Sequence, residues 1–216
     1  MPQPEPPAIP ASHSSDVTSA KSDAPPPLAA VNPQSAIPNP QLPLPTYVAI
    51  DFETADYTAD SACAVGLVRV ENGRVTRRVR QLIRPPNPRV RFTEIHGIRW
   101  TDVCDKPTFA EAWPILAPVI EGAHFLVAHN AGFDRKVLLT CCELAGLPPP
   151  TQHFHCTVKL ARRAFGLRLA NLPAVCGFLG ITLNHHEPLS DAEGCAGIML
   201  AVLRSNPALV KFRRAP

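Results

Sequence analysis

The chain has 216 residues and 26 prolines, far above the ordinary proline share of about 5%. Thirteen of those prolines lie in residues 1–46, which leaves the remainder room for one folded domain and too little for two. The formal charge of +3 divides unevenly: residues 1–46 carry Lys21 against Glu5, Asp16 and Asp23, so the rest is net +5, a balance that admits a polyanionic partner without requiring one.

No apolar run approaches the ~18 residues of a membrane span, and the first residues lack the basic start and apolar centre of a secretory signal. The expectation is a soluble cytoplasmic protein without a membrane partner. Cys63, Cys104, Cys141, Cys142, Cys156, Cys176 and Cys195 form an odd set without a C-x-x-C pair, so reduced thiols outside the chemistry are expected.

Residues 1–46 mix Pro, Ala, Ser, Gln and Asn with few large apolar groups and cannot bury enough surface to offset the entropy of ordering them. They read as a disordered tail. Gln41-Leu42-Pro43-Leu44-Pro45 has some look of a docking peptide for a replication or repair protein, but a proline stands where an aromatic is wanted; a plain linker is the simpler reading. The folded domain is expected over 47–205, with a short basic tail at 206–216.

Tyr47–Phe52 is a short apolar run ending on a carboxylate, the pattern of a buried strand that delivers a polar group at its tip. Ala62–Val70 and Arg74–Ile83 flank Glu71-Asn72-Gly73, and Asn-Gly predicts a tight hairpin. Pro85, Pro86 and Pro88 end the sheet there, and Phe92–Trp100 reads as a loop or short helix. From Thr108 the pattern is helical, with Phe109, Trp113, Leu116 and Ile120 on one face and Pro114 and Pro118 shortening it. Phe125–Ala128 is a further buried strand and Ala131–Leu144 a helix, with Gly146 placed to cap it. Phe154–Cys156 reads as a strand, and Thr157–Phe165 and Leu172–Leu179 as short helices. A last helix is expected from about Ser190 to Arg204, Ser190 and Glu193 matching a capping box. Strands first and then helices alternating with strands predict an α/β mixed sheet covered by helices.

Asp51 and Glu53, two apart at the end of the first strand, leave on the same side. Asp134 falls in the first turn of the helix after Phe125–Ala128, and Asp191 at the start of the last helix. Singly, each has an ordinary alternative as a turn residue or a first-turn acid favoured by the helix dipole. Together, four carboxylates in one place repel unless divalent cations hold them, and an all-oxygen set favours Mg²⁺ or Mn²⁺ over zinc or copper.

Asp51-Phe52-Glu53-Thr54, Ile95-His96-Gly97-Ile98, His129-Asn130-Ala131-Gly132-Phe133-Asp134, and His186 with Asp191 five positions later resemble, in order and spacing, the motifs of DEDDh-type 3′→5′ exonucleases. These are the DnaQ-like enzymes that include the proofreading epsilon subunit of bacterial DNA polymerase III. The resemblance covers about residues 46–204. It implies a ribonuclease-H-like fold with a five-stranded mixed sheet whose first three strands are antiparallel. It also implies two Mg²⁺ or Mn²⁺ ions about 4 Å apart on the scissile phosphate, one generating hydroxide and the other steadying the leaving 3′ oxygen. In that scheme Asp51 bridges both ions, Glu53 and Asp191 help hold the one carrying the nucleophilic water, and Asp134 supports the second. His186 is the general base, an imidazole titrating near neutrality, with adjacent His185 as the competing register. Thr54 is placed at the terminal 3′-hydroxyl, Phe52 and Phe133 beside a base, and Ile98 as a wedge, although apolar period also suits both phenylalanines to the core. His96 and His129 are read as structural or substrate-positioning, and Asn130 as a substrate contact. The arginines Arg74, Arg77, Arg78, Arg80, Arg84, Arg89 and Arg91 could track a phosphate backbone, but with no aromatic residues interleaved they read as the charged solvent face of an edge strand; Arg162, Arg163 and Arg168 are left open.

The expected activity is hydrolysis of the 3′-terminal phosphodiester of DNA, at single-stranded or frayed ends, releasing nucleoside 5′-monophosphates in proofreading or repair. The first alternative is an exoribonuclease of the same family, since the choice rests on contacts to the 2′-hydroxyl. The second is a non-catalytic interaction protein on the same fold, which predicts loss of a ligand or of the histidine; this chain keeps all five. Leu169-Ala170-Asn171-Leu172 and the Pro188-containing loop depart from the family pattern.

Overall fold

A computed structural model describes residues 43–212. The expected tail up to residue 42, with the first part of the proposed docking run, lies outside them. β1 (Tyr47–Thr54), β2 (Ala62–Glu71) and β3 (Arg74–Leu82) form an antiparallel meander. Between β2 and β3 the chain turns through Asn72 and Gly73, both at positive φ (46° and 74°), the geometry that an Asn-Gly hairpin demands. Two short helices follow, α1 (Thr93–His96) and α2 (Trp100–Val103), then α3 (Phe109–Leu116). β4 (Phe125–Ala128) returns parallel to β1, and α4 (Gly132–Leu144) leads to β5 (Phe154–Cys156), parallel to β4. α5 (Thr157–Phe165), α6 (Leu172–Leu179) and α7 (Pro188–Ser205) complete the domain. The five strands lie in the order β3-β2-β1-β4-β5.

The period of two along β1 sets the layering. Val48, Ile50 and Phe52 join β2 and β4 residues in packing on α3 and α4, among them Phe109, Trp113, Val137 and Leu138. Tyr47 and Ala49 face the other way, onto Leu160, Val175, Cys195 and Met199 of α5, α6 and α7. Helices therefore cover both faces, the α/β mixed sheet that the element order predicts. Continued past Ala49, the alternation carries Asp51 and Glu53 to the α7 side.

The elements match the sequence reading closely, apart from α2, which that reading did not contain, and two differences toward the end of the chain. α7 begins at Pro188, not Ser190: Glu187 is the N-cap, its carboxylate accepting the Ser190 N–H at 2.8 Å, while the Ser190 hydroxyl accepts the Asn184 N–H instead. Proline in the first turn has no N–H to leave unpaired. Second, residues after Ser205, expected to be tail, continue into a 3₁₀ turn at Pro207–Leu209, and Val210 is buried against the α5–α7 core. All seven cysteines are free thiols. Among the described residues no helix is long and apolar enough to cross a membrane.

Candidate active site

The site is built where β1 outruns its partner. β1 pairs with β4 only through Ala49, so beyond it one edge of β1 has no strand beside it. Asp134, in the first turn of α4, is 1% exposed and fills that gap: its Oδ1 accepts the Phe52 N–H at 2.9 Å. On the α7 side, ligand oxygens of Asp51, Glu53 and Asp191 lie within 4.8 Å of one another. The sequence-separated acids thus converge, with Asp134 turned toward the main chain behind the other three.

Gly66 makes this convergence possible. It is the cross-strand partner of Asp51 on β2, and it faces the start of α7 so closely that a Cβ there would lie 2.0 Å from the Pro188 carbonyl oxygen. The bare backbone lets the first turn of α7, carrying Asp191, rest on the sheet beside β1.

Asp191 is held from one side only. Its Oδ2 accepts the His186 N–H at 3.0 Å and meets His185 Nδ1 at 2.9 Å. Its Oδ1 is buried and, among the described residues, has no hydrogen-bond partner. A buried carboxylate oxygen without a donor is costly, and here it sits among further acids. A divalent cation satisfies that oxygen and offsets the repulsion together, so the donor set fits hard cations with oxygen ligands.

The electrostatics agree. Burial, then the charges of Asp134, Asp191 and Glu53, push Asp51 well above the ordinary carboxylate range. Burial, then Asp191 and Asp134, raise Glu53 to about 8. Burial also raises Asp134 against the pull of the Phe52 N–H, and raises Asp191 against the His186 N–H and His185. For each acid the folded pKa exceeds the unfolded one, so in metal-free protein stability is full below the unfolded range and falls as pH rises through the folded value. Cation binding requires the ionised forms. The rise in melting temperature caused by Mg²⁺ should therefore be small near about pH 5.5 and large near about pH 8.5. His96, His129, His155 and His186, all pushed down by burial, destabilise on the acid side with or without the ion, so the Mg²⁺-dependent difference is the readout. An equal Mg²⁺ shift at both pH values would contradict the assignment.

Asp51, Glu53 and Asp191, but not Asp134, line a cleft of about 540 Å³ whose walls include Phe52, His129, Asn130, Phe133, Arg162, Arg168, Leu169, Asn171, His185 and His186. Phe133 is 45% exposed, whereas Phe52 is also a core residue. Asn130 stands at φ 66° and His186 at φ 68°, left-handed backbone that non-glycine residues hold only when their surroundings enforce it. No hydrogen bond to a ring nitrogen of His186 is made among the described residues; its ring stacks on His185 at 3.8 Å. Thr54, His96 and Ile98 are not part of the cleft wall. Thr54 is 5% exposed beyond a register shift of the β1–β2 ladder that skips Cys63 of β2, its carbonyl meets His96 Nε2 at 3.2 Å, and His96 Nδ1 accepts the Ile98 N–H at 3.1 Å. Ile98 packs with Ala55, Cys63, Ala64 and Val103. His129 also serves the framework, bonding Thr157 Oγ1 and the Ala170 carbonyl. Sequence reasoning left the Arg162–Asn171 wall unassigned. Its one signal is the Asn171 cap that brings the start of α6 to the cleft.

A five-stranded mixed sheet with helices on both faces and an acid cluster at the tip of β1 is the frame of ribonuclease-H-like nucleases acting on nucleic acid. The RNase_T exonuclease family model matches residues 48–199, and the chain belongs to that family, the DnaQ-like DEDDh 3′→5′ exonucleases, hydrolases that use divalent metal ions. It is 31% identical over 160 residues to the PolC-type DNA polymerase III of Thermotoga petrophila, covering 72% of this chain and 12% of that protein. It is 29% identical over 164 residues to exodeoxyribonuclease 10 of Escherichia coli K12, covering 73% of this chain and 68% of that one. The chain thus spans about an eighth of the PolC-type relative and about two thirds of the exodeoxyribonuclease. Among solved structures, exonuclease X in complex with 5′-overhanging duplex DNA superposes with a TM-score of 0.62 at 26% identity, covering 74% of this chain and 93% of that one.

Proposed function

We propose that the protein removes nucleotides from the 3′ end of DNA, at single-stranded or frayed termini, releasing nucleoside 5′-monophosphates in proofreading or repair. The observation that carries this reading is that Asp191, whose Oδ1 is buried and without a hydrogen-bond partner among the described residues, offers an oxygen within 4.8 Å of ligand oxygens of Asp51 and Glu53. Asp51, Glu53 and Asp191, with Asp134 behind them, would hold two Mg²⁺ or Mn²⁺ ions. Bound there, the ions supply positive charge against the phosphate oxygens and make water more acidic.

The chain's own residues do the rest. The cleft admits a terminal nucleotide past Phe133, whose exposed ring offers a face to any base. His186, kept neutral at physiological pH by burial and by His185, accepts the proton as water attacks phosphorus; the new bond to water oxygen forms and the bond to the leaving 3′ oxygen breaks. His185 Nδ1 is engaged with Asp191, which leaves His186 as the imidazole with free nitrogens. DNA is favoured by the exodeoxyribonuclease relative and by the DNA-bound structural neighbour. The division into a tail up to about residue 46 and an exonuclease domain after it belongs to the same proposal, as does any replication or repair protein docked by that tail.

The test is a 3′-labelled panel of single-stranded DNA, paired duplex, mismatched duplex and RNA, each with Mg²⁺, Mn²⁺ or chelator. Labelled monophosphate should appear from single-stranded and mismatched DNA first, and only with metal. His186→Ala should lower kcat by roughly 10²–10⁴, while His185→Ala should act on metal affinity more than on kcat. Full activity in chelator would defeat the mechanism, and faster loss of RNA than of DNA would move the substrate to the exoribonuclease alternative.

A further inference from the structure

The cleft has two walls of opposite character, and the mechanism uses only one. Arg162 and Arg168 line the same cleft as the carboxylates. Gly166, at φ 68°, reverses the chain after α5, so Arg162 in the last turn of the helix and Arg168 in the following loop reach the same cleft. Both are exposed, and neither belongs to an ion pair among the described residues. The loop ends at Asn171, whose side chain caps α6 by accepting the Ala174 N–H at 3.0 Å; Asn171 and Leu172 line the cleft, so the start of that helix borders it. Between the two arginines and the cap, Leu169 is 67% exposed, and Phe133 on the cleft wall is 45% exposed.

An ordinary surface arginine gains little from its position. Here two unpaired arginines and a helix N-terminus share a cleft with an acid cluster that cations must neutralise. A single phosphate at the acids leaves this second wall without an anion. We propose that Arg162 and Arg168, with the N-terminus of α6, bind the phosphate on the 5′ side of the scissile one, while Leu169 and Phe133 carry the bases. This rests on the exonuclease reading above and sharpens its substrate. The substrate is an unpaired 3′ segment of at least two nucleotides, read through its backbone and indifferent to base identity, because phosphate contacts position a strand without reading sequence.

The experiment compares KM for the p-nitrophenyl ester of thymidine 5′-monophosphate, which has no upstream phosphate, with KM for oligothymidylates of increasing length, across a salt series. In the wild type, KM should fall as the first upstream phosphate is added. The Arg162→Ala/Arg168→Ala variant should lose most of that gain, with KM for the longer oligothymidylates up about 10-fold and the log–log salt slope smaller by about 1. Arg162→Lys/Arg168→Lys should restore part of it. Arg163→Ala, exposed on the same helix and outside the cleft wall, is the matched control. If the wild type hydrolyses these substrates and the double alanine variant keeps the wild-type length dependence and salt slope, the inference is overturned and the exonuclease reading stands. If the wild type hydrolyses none of them with Mg²⁺ or Mn²⁺, both fall.

Discussion

Asp51→Asn should abolish nuclease activity and, in the same protein without metal, raise the melting temperature. Asp51 is pushed well above the ordinary carboxylate range, by burial first and then by Asp134, Asp191 and Glu53. Asparagine keeps the shape and removes one charge from that group. Activity with Mg²⁺ should fall by at least ~10², since one oxygen donor of the cation site is replaced by a neutral amide. In chelator near about pH 8, where wild-type Asp51, Glu53 and Asp191 compete for ionisation, relieving the repulsion should stabilise the fold. Each kcal/mol recovered corresponds to roughly 2–4 °C in a domain of this size. Near about pH 5, well below the value of about 8 to which Glu53 is raised and with Asp51 raised well above its usual range, the stabilisation should shrink. Added Mg²⁺ should stabilise the wild type strongly and the variant weakly. A variant that loses activity and also melts lower at alkaline pH would mean that Asp51 is a structural hydrogen-bonding residue. One that keeps activity would remove the acid cluster from the chemistry.

The second large effect belongs to a residue with no functional group. Gly66→Ala places a methyl 2.0 Å from the Pro188 oxygen, 2.4 Å from its carbonyl carbon and 2.7 Å from the Leu189 nitrogen. All three are backbone atoms, so no rotamer change relieves the contact, and the start of α7 must move off the sheet. Overpacking of this kind costs about 1–3 kcal/mol. The functional loss should be larger in proportion: the first turn of α7 carries Asp191 and is entered through His186, and a displacement of about 1 Å at such groups costs on the order of 10² in rate. Gly177→Ala, in α6 with nothing within 4 Å of the added carbon, is the control and should be neutral or slightly stabilising. Wild-type kcat in Gly66→Ala would show that Asp191 does not depend on this close approach.

Gly66 also marks the limit of what was legible beforehand. The strand through Ala62–Val70 could be read from its apolar composition, and a glycine inside it is a recognised sign of close backbone approach. What approaches is a helix start more than a hundred residues later, and no local pattern names it. Asp134 is similar. Its place in the first turn of α4 follows from periodicity. That one oxygen is spent on the Phe52 N–H depends on where β4 stops pairing with β1. The histidine pair shows the same limit at single-residue scale: spacing selects His186 as the proposed base, but only the left-handed turn at that residue and the contact of His185 Nδ1 with Asp191 give the two rings different surroundings. Thr54 and Ile98, placed at the substrate by motif, are buried outside the cleft wall, Thr54 next to the register shift at Cys63 of β2 and Ile98 packed with Ala55, Cys63, Ala64 and Val103.

The amino-acid sequence alone determined the order and type of the elements, the Asn-Gly hairpin, the outward pairing of Asp51 with Glu53 and the motif set that marks the family, because each depends on periods and turn preferences acting over a few residues. The tertiary structure decided how near the acids come, which oxygen of Asp191 is left without a donor, and that Arg162 and Arg168 share their cleft. Those are distances between segments brought together only when both faces of one sheet are covered, and burial and charge repulsion act through distance, not through position along the chain.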